Sequence, residues 1–468
     1  MPEPTSCTPT MKRIVLFIAV ISSFLTPFDS SSVNIALPSM GAEFGLDAIS
    51  LSWITTAYLL SIAVFLVPFG KLADIYGRKK VFLLGISLFS LSSLLLSFSF
   101  SASMLISLRL VQGLGSAMLF GTSLAIVSSV FPPGERGKAL GITIAAVYLG
   151  LSMGPFLGGY MTAYLGWRSI FLVNVPLGAL CILFTGWKLP LEWKTAAGER
   201  FDLRGSLLWG SALIVLIYGL SLIPERAGVI LAVAGVAGII LFAALELGVP
   251  DPVLDIRLFS HNRVFAFSNL AALINYSATY AVTFLLSLYL QISKDFSPET
   301  AGLILVAQPV TMALFAPLSG RLSDRVDPSR VASLGMAFTA GGLFLLTMIG
   351  PASSLPFLIG SLIVLGIGFG IFSSPNTNAI LSSVDRSMYG VASGMVGTMR
   401  LLGQIFSMAV AMTLFSFFIG REEITDANLP LFLQSMHAAF YLFFFLCVAG
   451  VFFSLVRGRT TPWKENCP

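Results

Sequence analysis

The sequence predicts an all-α polytopic membrane protein of fourteen transmembrane helices. Of 468 residues, 56% are hydrophobic and 10% charged, with a mean hydropathy of +0.90. That leaves too little polar surface for a soluble protein of this length. Apolar runs of about 20 residues recur along the chain, each long enough to cross a hydrocarbon core of about 30 Å. The apolar residues run continuously instead of alternating, which fits helices and excludes barrel strands.

In chain order the runs cover roughly 14–37, 49–69, 81–100, 104–127, 139–161, 168–187, 205–223, 228–248, 264–290, 302–319, 331–350, 355–376, 391–418 and 433–456. The first is too long for a signal-peptide core and has no small-residue cleavage site, so it reads as an uncleaved span. The second and third flank a basic knot, GKLADIYGRKK at Gly70 to Lys80. Lys71, Arg78, Lys79 and Lys80 resist translocation, so this loop is expected to be cytoplasmic. With both termini inside, 21 of the 27 Lys and Arg fall in inner segments. Arg168, Arg226, Lys294 and Arg421 fall outside, and Arg109 and Arg400 within helices. The acids Glu43, Asp47, Glu225, Asp295, Glu299, Glu422, Glu423 and Asp426 lie in outer loops. The net charge of +5 is therefore a topological signal and not the mark of a nucleic-acid partner.

GRLSDRVDPSR at Gly320 to Arg330 echoes the basic knot 250 residues on. Asp385-Arg386 follows Glu135-Arg136 by the same interval, and two motifs at one offset indicate a duplication. The expected organisation is a six-helix bundle in 1–190 and a linker carrying two inserted helices in 191–263. A second six-helix bundle and tail fill 264–468, related to the first by an axis along the membrane normal. Cys7, Cys181, Cys447 and Cys467 lack metal spacing, and His261 and His437 are isolated, so no metal or other cofactor is expected.

The motifs resemble those of the major facilitator superfamily and, within it, the fourteen-helix drug:proton antiporters. Gly70 to Lys80 is similar to the superfamily's signature loop between helices two and three. LRLVQGLG at Leu108 to Gly115 is similar to its helix-four motif, and GLSMGPFLGG at Gly150 to Gly159 to the helix-five motif of exporters. DSSSVNIALP at Asp29 to Pro38 resembles the helix-one signature of the fourteen-helix group, with Ser31 where Thr is usual. The resemblance implies the major facilitator fold, two six-helix bundles plus two inserted helices, and alternating access. It implies proton-driven export of amphipathic small molecules from the cell membrane by a functional monomer, without enzymatic chemistry. A narrow-substrate exporter of a metabolite, peptide or lipid-like molecule is the competing reading, and a non-transporting sensor or scaffold is a third.

The residues suggest where each task is done. Asp29 is the one acid deep in either predicted bundle, and an ionised Asp at a helix centre costs about 2.5 to 3.5 kcal/mol on insertion scales. At about 1.5 Å per residue, Asp29 and Arg109 both lie roughly 8 Å from the outer boundary. They are expected to face each other as a proton-coupling pair. Arg400 falls roughly 14 Å deep, near the midplane, where three readings stand open: binding an anionic or polar substrate group, pairing with Asp29 in one state, or bonding helix carbonyls as a packing residue. The substrate cavity is expected among helices one, four, five, nine, twelve and thirteen, with Asn34, Gln112, Tyr148, Asn275, Tyr276, Tyr280, Asn376, Asn378, Arg400 and Gln404, and Gln308 on helix ten. The lone acid suggests a neutral or monocationic substrate. Gly150, Gly154, Gly158 and Gly159, with a bend at Pro155, suit a tight seam between bundles. By resemblance Gly70, Asp74 and Arg78, echoed by Gly320 and Asp324, form a cytoplasmic latch. Lys79 and Lys80 suit lipid headgroups, and Glu246 is expected to reach the membrane interface.

Overall fold

Polar caps divide the apolar sequence into helices where the chain must turn. Asp47, Ser101, Asn262 and Ser297 each accept a hydrogen bond from a backbone N–H of the helix that follows. This supplies the acceptor that a helix start lacks. Between the second and third helices Gly77 takes φ +126°, a conformation that side-chained residues rarely adopt, so the signature loop turns in a single residue.

A computed structural model describes residues 9–131, 133–189, 192–194, 198–250, 252–254, 256–257, 259, 262–323, 325–384, 389–420, 422–425 and 427–456. Among these, fourteen long helices account for nearly all of the structure, and there is no strand. They are α1 (Pro9–Phe44), α2 (Ala48–Tyr76), α3 (Arg78–Leu96), α4 (Ala102–Val130), α5 (Pro133–Leu165) and α6 (Arg168–Lys188). Next come α7 (Leu203–Ser221) and α8 (Arg226–Glu246), then α9 (Arg263–Ser293) and α10 (Pro298–Ser323). The last four are α11 (Pro328–Leu346), α12 (Leu355–Ser382), α13 (Tyr389–Phe418) and α14 (Leu429–Val456). A π turn, Tyr289–Ser293, closes α9, and α10 is interrupted at Val306. Several helices overrun their apolar stretches: α1 has 36 residues, about 54 Å at 1.5 Å per residue. Hydropathy marks the lipid-facing length alone, whereas helical hydrogen bonding continues into the interface.

Helices α1 to α6 pack on one another, and α9 to α14 do likewise. α2 and α10 begin 250 residues apart, at Ala48 and Pro298, and so do α3 and α11, at Arg78 and Pro328. The two groups meet along two seams, α5 with α10 and α2 with α13. α7 packs against both α2 and α13 and so braces the second seam from outside. Trp209 donates through Nε1 to the Ala63 carbonyl at 3.1 Å, and Thr413 donates to the Leu220 carbonyl at 3.0 Å. α8 packs on α7 and leaves Ile230, Val233 and Ile240 exposed, a face suited to lipid. Glu246 departs from expectation: it is buried, its carboxyl against Asp202 and the backbone of Val253 and Leu254. The reason is that residues 252–254 fold back over the end of α8 and cover it.

Candidate functional site: a buried ion pair beside a central cavity

The structure joins Asp29 of α1 to Arg109 of α4. Arg109 Nη1 lies 2.5 Å from Asp29 Oδ2, and both side chains are fully buried. The other oxygen, Oδ1, accepts from Gln112 Nε2 at 3.0 Å and from Asn174 Nδ2 at 2.8 Å. Arg109 also donates through Nε to the Ile54 carbonyl at 3.2 Å, and its guanidinium sits 4.1 Å from the centre of the Tyr58 ring. Gln112 reaches on to Ser93 at 2.9 Å. α4 and α6 thus bind the carboxylate directly, and α2 and α3 support it through Arg109 and Gln112. These bonds offset part of a desolvation cost of several kcal/mol per ion, although Arg109 Nη2 and Asn174 Oδ1 are buried without a hydrogen bond.

The cavity lies next to this network and not around it. It measures about 1500 Å³ including its mouth, and neither Asp29 nor Arg109 lines it. Tyr58 is the wall between them. One face of its ring covers Arg109, its hydroxyl bonds Ser116 at 2.9 Å, and the residue also lines the cavity. Of the expected lining, the structure places Asn34, Tyr148, Tyr276, Tyr280, Gln308, Arg400 and Gln404 on the wall. Gln112 is drawn into the ion-pair network instead. Asn376 donates to the Ser268 carbonyl at 3.0 Å and Asn378 to Ser323 at 3.2 Å, so both serve helix packing. Asn275 is fully buried off the cavity, with both amide atoms lacking a hydrogen bond. α2 and α10 join the six helices expected to form the wall.

Seven lining pairs are 250 residues apart, among them Thr26 and Tyr276, Tyr58 and Gln308, and Leu119 and Phe369. One of the seven is in contact: Ser30 Oγ and Tyr280 OH lie 2.5 Å apart. Copies related by a two-fold axis meet beside that axis, so this bond lies close to the axis that relates the two groups. Tyr148 bridges the two groups as well, 3.0 Å from Ser373 Oγ.

The cavity is closed at the face away from the chain ends. There α5 packs chiefly against Pro298–Leu305, the first segment of α10, and much less against Ala307–Ser323. Tyr164 donates to Glu299 at 2.9 Å, Gln291 to the Ile35 carbonyl at 2.9 Å and the Ala48 N–H to the Glu422 carbonyl at 3.1 Å, all across the junction. Toward the opposite face, Arg78 of the basic loop makes contacts within its own half. Arg78 pairs with Asp74 at 2.7 Å and donates to Ser129 and to the Ala125 carbonyl of α4. The linker then caps it through Trp193, Glu192 and Glu199. The described contacts of this loop include α4, the Leu189 carbonyl at the end of α6 and the linker, and Gly70 packs near Gly121. Gly320 approaches Ser374, while Asp324 lies outside the described residues, as do Asp385 and Arg386.

The profile of the Major Facilitator Superfamily matches residues 19–268 and again 268–467. The chain belongs to this superfamily. Among relatives, the riboflavin transporter RibZ of Clostridioides difficile is 32% identical over 96% of this chain and 98% of its own length. The multidrug resistance protein Stp of Mycobacterium tuberculosis is 32% identical over 85% of this chain and 74% of its own. The fold is similar to the crystal structure of a bacterial homologue of the human lysosomal transporter Spinster, in an inward-facing and unoccupied conformation. That match has a TM-score of 0.68 at 15% identity, covering 96% of this chain and 97% of the other. The protein is thus a multi-pass membrane transporter of the superfamily.

Within this superfamily fold the helix-five glycines divide between two jobs. A Cβ on Gly150 would stand 2.6 Å from the Phe24 carbonyl oxygen, on Gly154 1.8 Å from Ser31 Oγ, and on Gly158 2.8 Å from Ser32. These three therefore seat α5 on α1, inside one bundle, instead of at the seam. Ser32 completes the contact by donating to the Gly154 carbonyl at 3.1 Å. Gly159 alone of the four meets the other bundle, its Cβ direction ending 2.4 Å from the Pro298 oxygen. The reciprocal contact comes from Gly302, which faces the Pro155 oxygen at 2.1 Å from a built Cβ. Asn174 and Tyr58 were not anticipated from sequence. A single amide within the apolar run of α6 was the available signal for Asn174; Tyr58 had none, since aromatic residues occur throughout the spans.

Proposed function

We propose that the protein is a proton-coupled exporter of amphipathic small molecules, working by alternating access. The observation that carries this is a fully buried Asp29–Arg109 pair beside a central cavity, with the Tyr58 ring both covering Arg109 and lining the cavity. Such a pair is expensive to maintain in a membrane and marks a pathway more often than a packing contact. The excess of Lys and Arg near the terminus-bearing face sets that face, and both chain ends, in the cytoplasm of a cell-membrane protein. The cavity then opens inward in this conformation.

In this reading a substrate enters the cavity from the cytoplasm or inner leaflet and rests on its aromatic and hydroxyl wall. The bundles rock about the Ser30–Tyr280 axis, separating the α5–α10 and α2–α13 seams to open the outer face. A proton from outside then joins Asp29. Protonation turns one carboxylate oxygen from acceptor to donor, so Arg109, Gln112 and Asn174 must regroup. That rearrangement is next to Tyr58 and so adjacent to the bound substrate. Each proton moving inward contributes about 2.3 kcal/mol per 100 mV of potential. Lipids surround the helices, and a monomer is sufficient for the cycle.

The test uses the purified protein in proteoliposomes with an amphipathic fluorescent dye. Asp29→Asn is expected to abolish dye accumulation driven by a pH gradient while retaining dye exchange down its own gradient. Undiminished gradient-driven accumulation in that variant rejects proton coupling through Asp29.

A further inference from the structure

The cavity carries one uncompensated charge. Among its described lining residues Arg400 is the only one that is charged at neutral pH. It is partly exposed, and no hydrogen bond or ion pair joins its side chain to a described residue. Its close neighbour is a ring, that of Phe120, with the guanidinium 5.4 Å from the ring centre. The acid that might have balanced it is already committed. Asp29 is fully buried against Arg109, outside the lining, so this pair adds no net charge to the wall. Duplication supplies no partner either, since Arg400 falls on Gly150 at the 250-residue offset.

The surroundings of Arg400 favour flat ligands. Tyr276 and Phe369 meet edge to face at 5.2 Å on the wall, and Tyr148 crosses toward Ser373 beside them. Phe120 and these rings line the same cavity as a guanidinium whose donors are free. A guanidinium fork matches a carboxylate in two parallel hydrogen bonds. A cation beside that guanidinium would face repulsion in a region of low dielectric, where charge interactions are stronger than in water.

We propose that the cavity selects aromatic monoanions, an aryl carboxylate or an acidic phenol, with the anionic oxygen on Arg400 and the ring against Phe120, Tyr276 and Phe369. This rests on the exporter reading above and replaces the expectation of a neutral or monocationic substrate. That expectation counted acids along the sequence; the structure shows that the relevant acid is sealed off from the cavity.

Three probes of one shape separate the alternatives: naphthoate, naphthamide and naphthylmethylammonium. Binding is measured by calorimetry on the full-length protein in lipid nanodiscs. The anion is expected to bind at least tenfold tighter than the amide, and the ammonium at least tenfold more weakly. Arg400→Gln is expected to bring anion and amide within twofold of each other. Arg400→Lys, which keeps the charge but loses the fork, is expected to leave a reduced preference, and it carries the comparison if the Gln variant fails to fold. A tighter ammonium, or an anion preference unchanged in both variants, overturns the proposal. Proton-driven transport of the three probes by the unaltered protein tells the two failures apart. Movement of the amide with no anion preference overturns the charge assignment alone. If none of the three moves or binds, the exporter reading and this proposal fall together.

Discussion

The two bundles share a framework and treat charge in opposite ways. In the first, Asp29 and Arg109 are shut away at zero exposure, with Gln112, Asn174 and Tyr58 closing around them. In the second, the matching positions are Thr279 and Ile359, and the intramembrane charge is Arg400, unpaired and facing the cavity. A buried pair is balanced and can respond to a proton without altering the net charge of the ligand wall directly. An unpaired cation is free to recognise a ligand. The difference teaches that duplication supplied paired cavity positions, whereas the intramembrane charges are ones the repeat did not copy.

The largest expected effect breaks this comparison at its most asymmetric point. Arg109→Leu leaves Asp29 buried without its counterion, a change that typically costs about 3 to 5 kcal/mol. Loss of monodisperse protein and a much lower thermal midpoint are expected, with partial recovery in the double variant Asp29→Asn, Arg109→Leu. Arg400→Leu removes a charge whose one described side-chain contact is the Phe120 ring and is expected to shift the midpoint by no more than about 1 kcal/mol equivalent. Equal destabilisation by the two single substitutions would erase the proposed distinction.

The seams offer a second contrast. At α5–α10 backbone meets backbone through Gly159 and Gly302, whereas α2–α13 carries a side-chain contact, Thr56 to Met412 at 3.2 Å, and the brace of α7. Gly302→Leu therefore places its Cβ against a main-chain oxygen, an overpacking of about 1 to 3 kcal/mol that acts on the closed outer seam alone. The expected result is a folded protein whose cavity spends less time open to the cytoplasm. Slower maleimide labelling of Leu124→Cys from that face, with transport reduced at least tenfold, is the measurement. Unchanged labelling would mean that this seam does not set the conformation.

Much of this was legible in the sequence because lipid imposes simple rules. Fourteen apolar runs gave fourteen helices, and a constant 250-residue interval between motifs reappears as paired helix starts and paired cavity positions. Equal depth along two helices placed Asp29 and Arg109 at one level, and the structure puts them in contact. What sequence could not settle was azimuth. Gln112, Asn275, Asn376 and Asn378 are polar and at suitable depths, yet each points away from the cavity wall, and in a helix polar on few positions the periodicity is too weak to say so. Three of the four helix-five glycines face α1 for the same reason. Glu246 was misplaced because the chain segment that covers it follows in a polar linker, where hydropathy carries no packing information.

A smaller effect tests the wall between ion pair and cavity, using the repeat as its own control. Tyr58 and Gln308 are copies at the 250-residue offset, and both line the cavity, but only Tyr58 backs onto a charge. Tyr58→Ala removes a cation–π contact worth about 0.5 to 2 kcal/mol and opens the cavity to Arg109. Substrate-independent proton leak into proteoliposomes is expected to rise severalfold in this variant and not in Gln308→Ala. Leak of the same size in both would mean that the ring does not insulate the pair.

The smallest effect concerns the brace itself. Trp209→Phe keeps most of the apolar contact of α7 with α2 and deletes the hydrogen bond to the Ala63 carbonyl. A single hydrogen bond of this kind contributes about 0.5 to 1.5 kcal/mol. Ala63 lies in the helix interior, and its carbonyl already serves the α2 ladder, so losing the second donor does not orphan it. The fall in thermal midpoint should therefore be modest. Because α7 touches α2 and α13 and not the glycine seam, hydrogen exchange is expected to increase in α7 and along α2–α13 while α5 and Pro298–Leu305 keep their protection. Uniform loosening of both seams would instead identify the inserted pair as a general scaffold, and the contrast between a braced seam and a bare one would no longer hold.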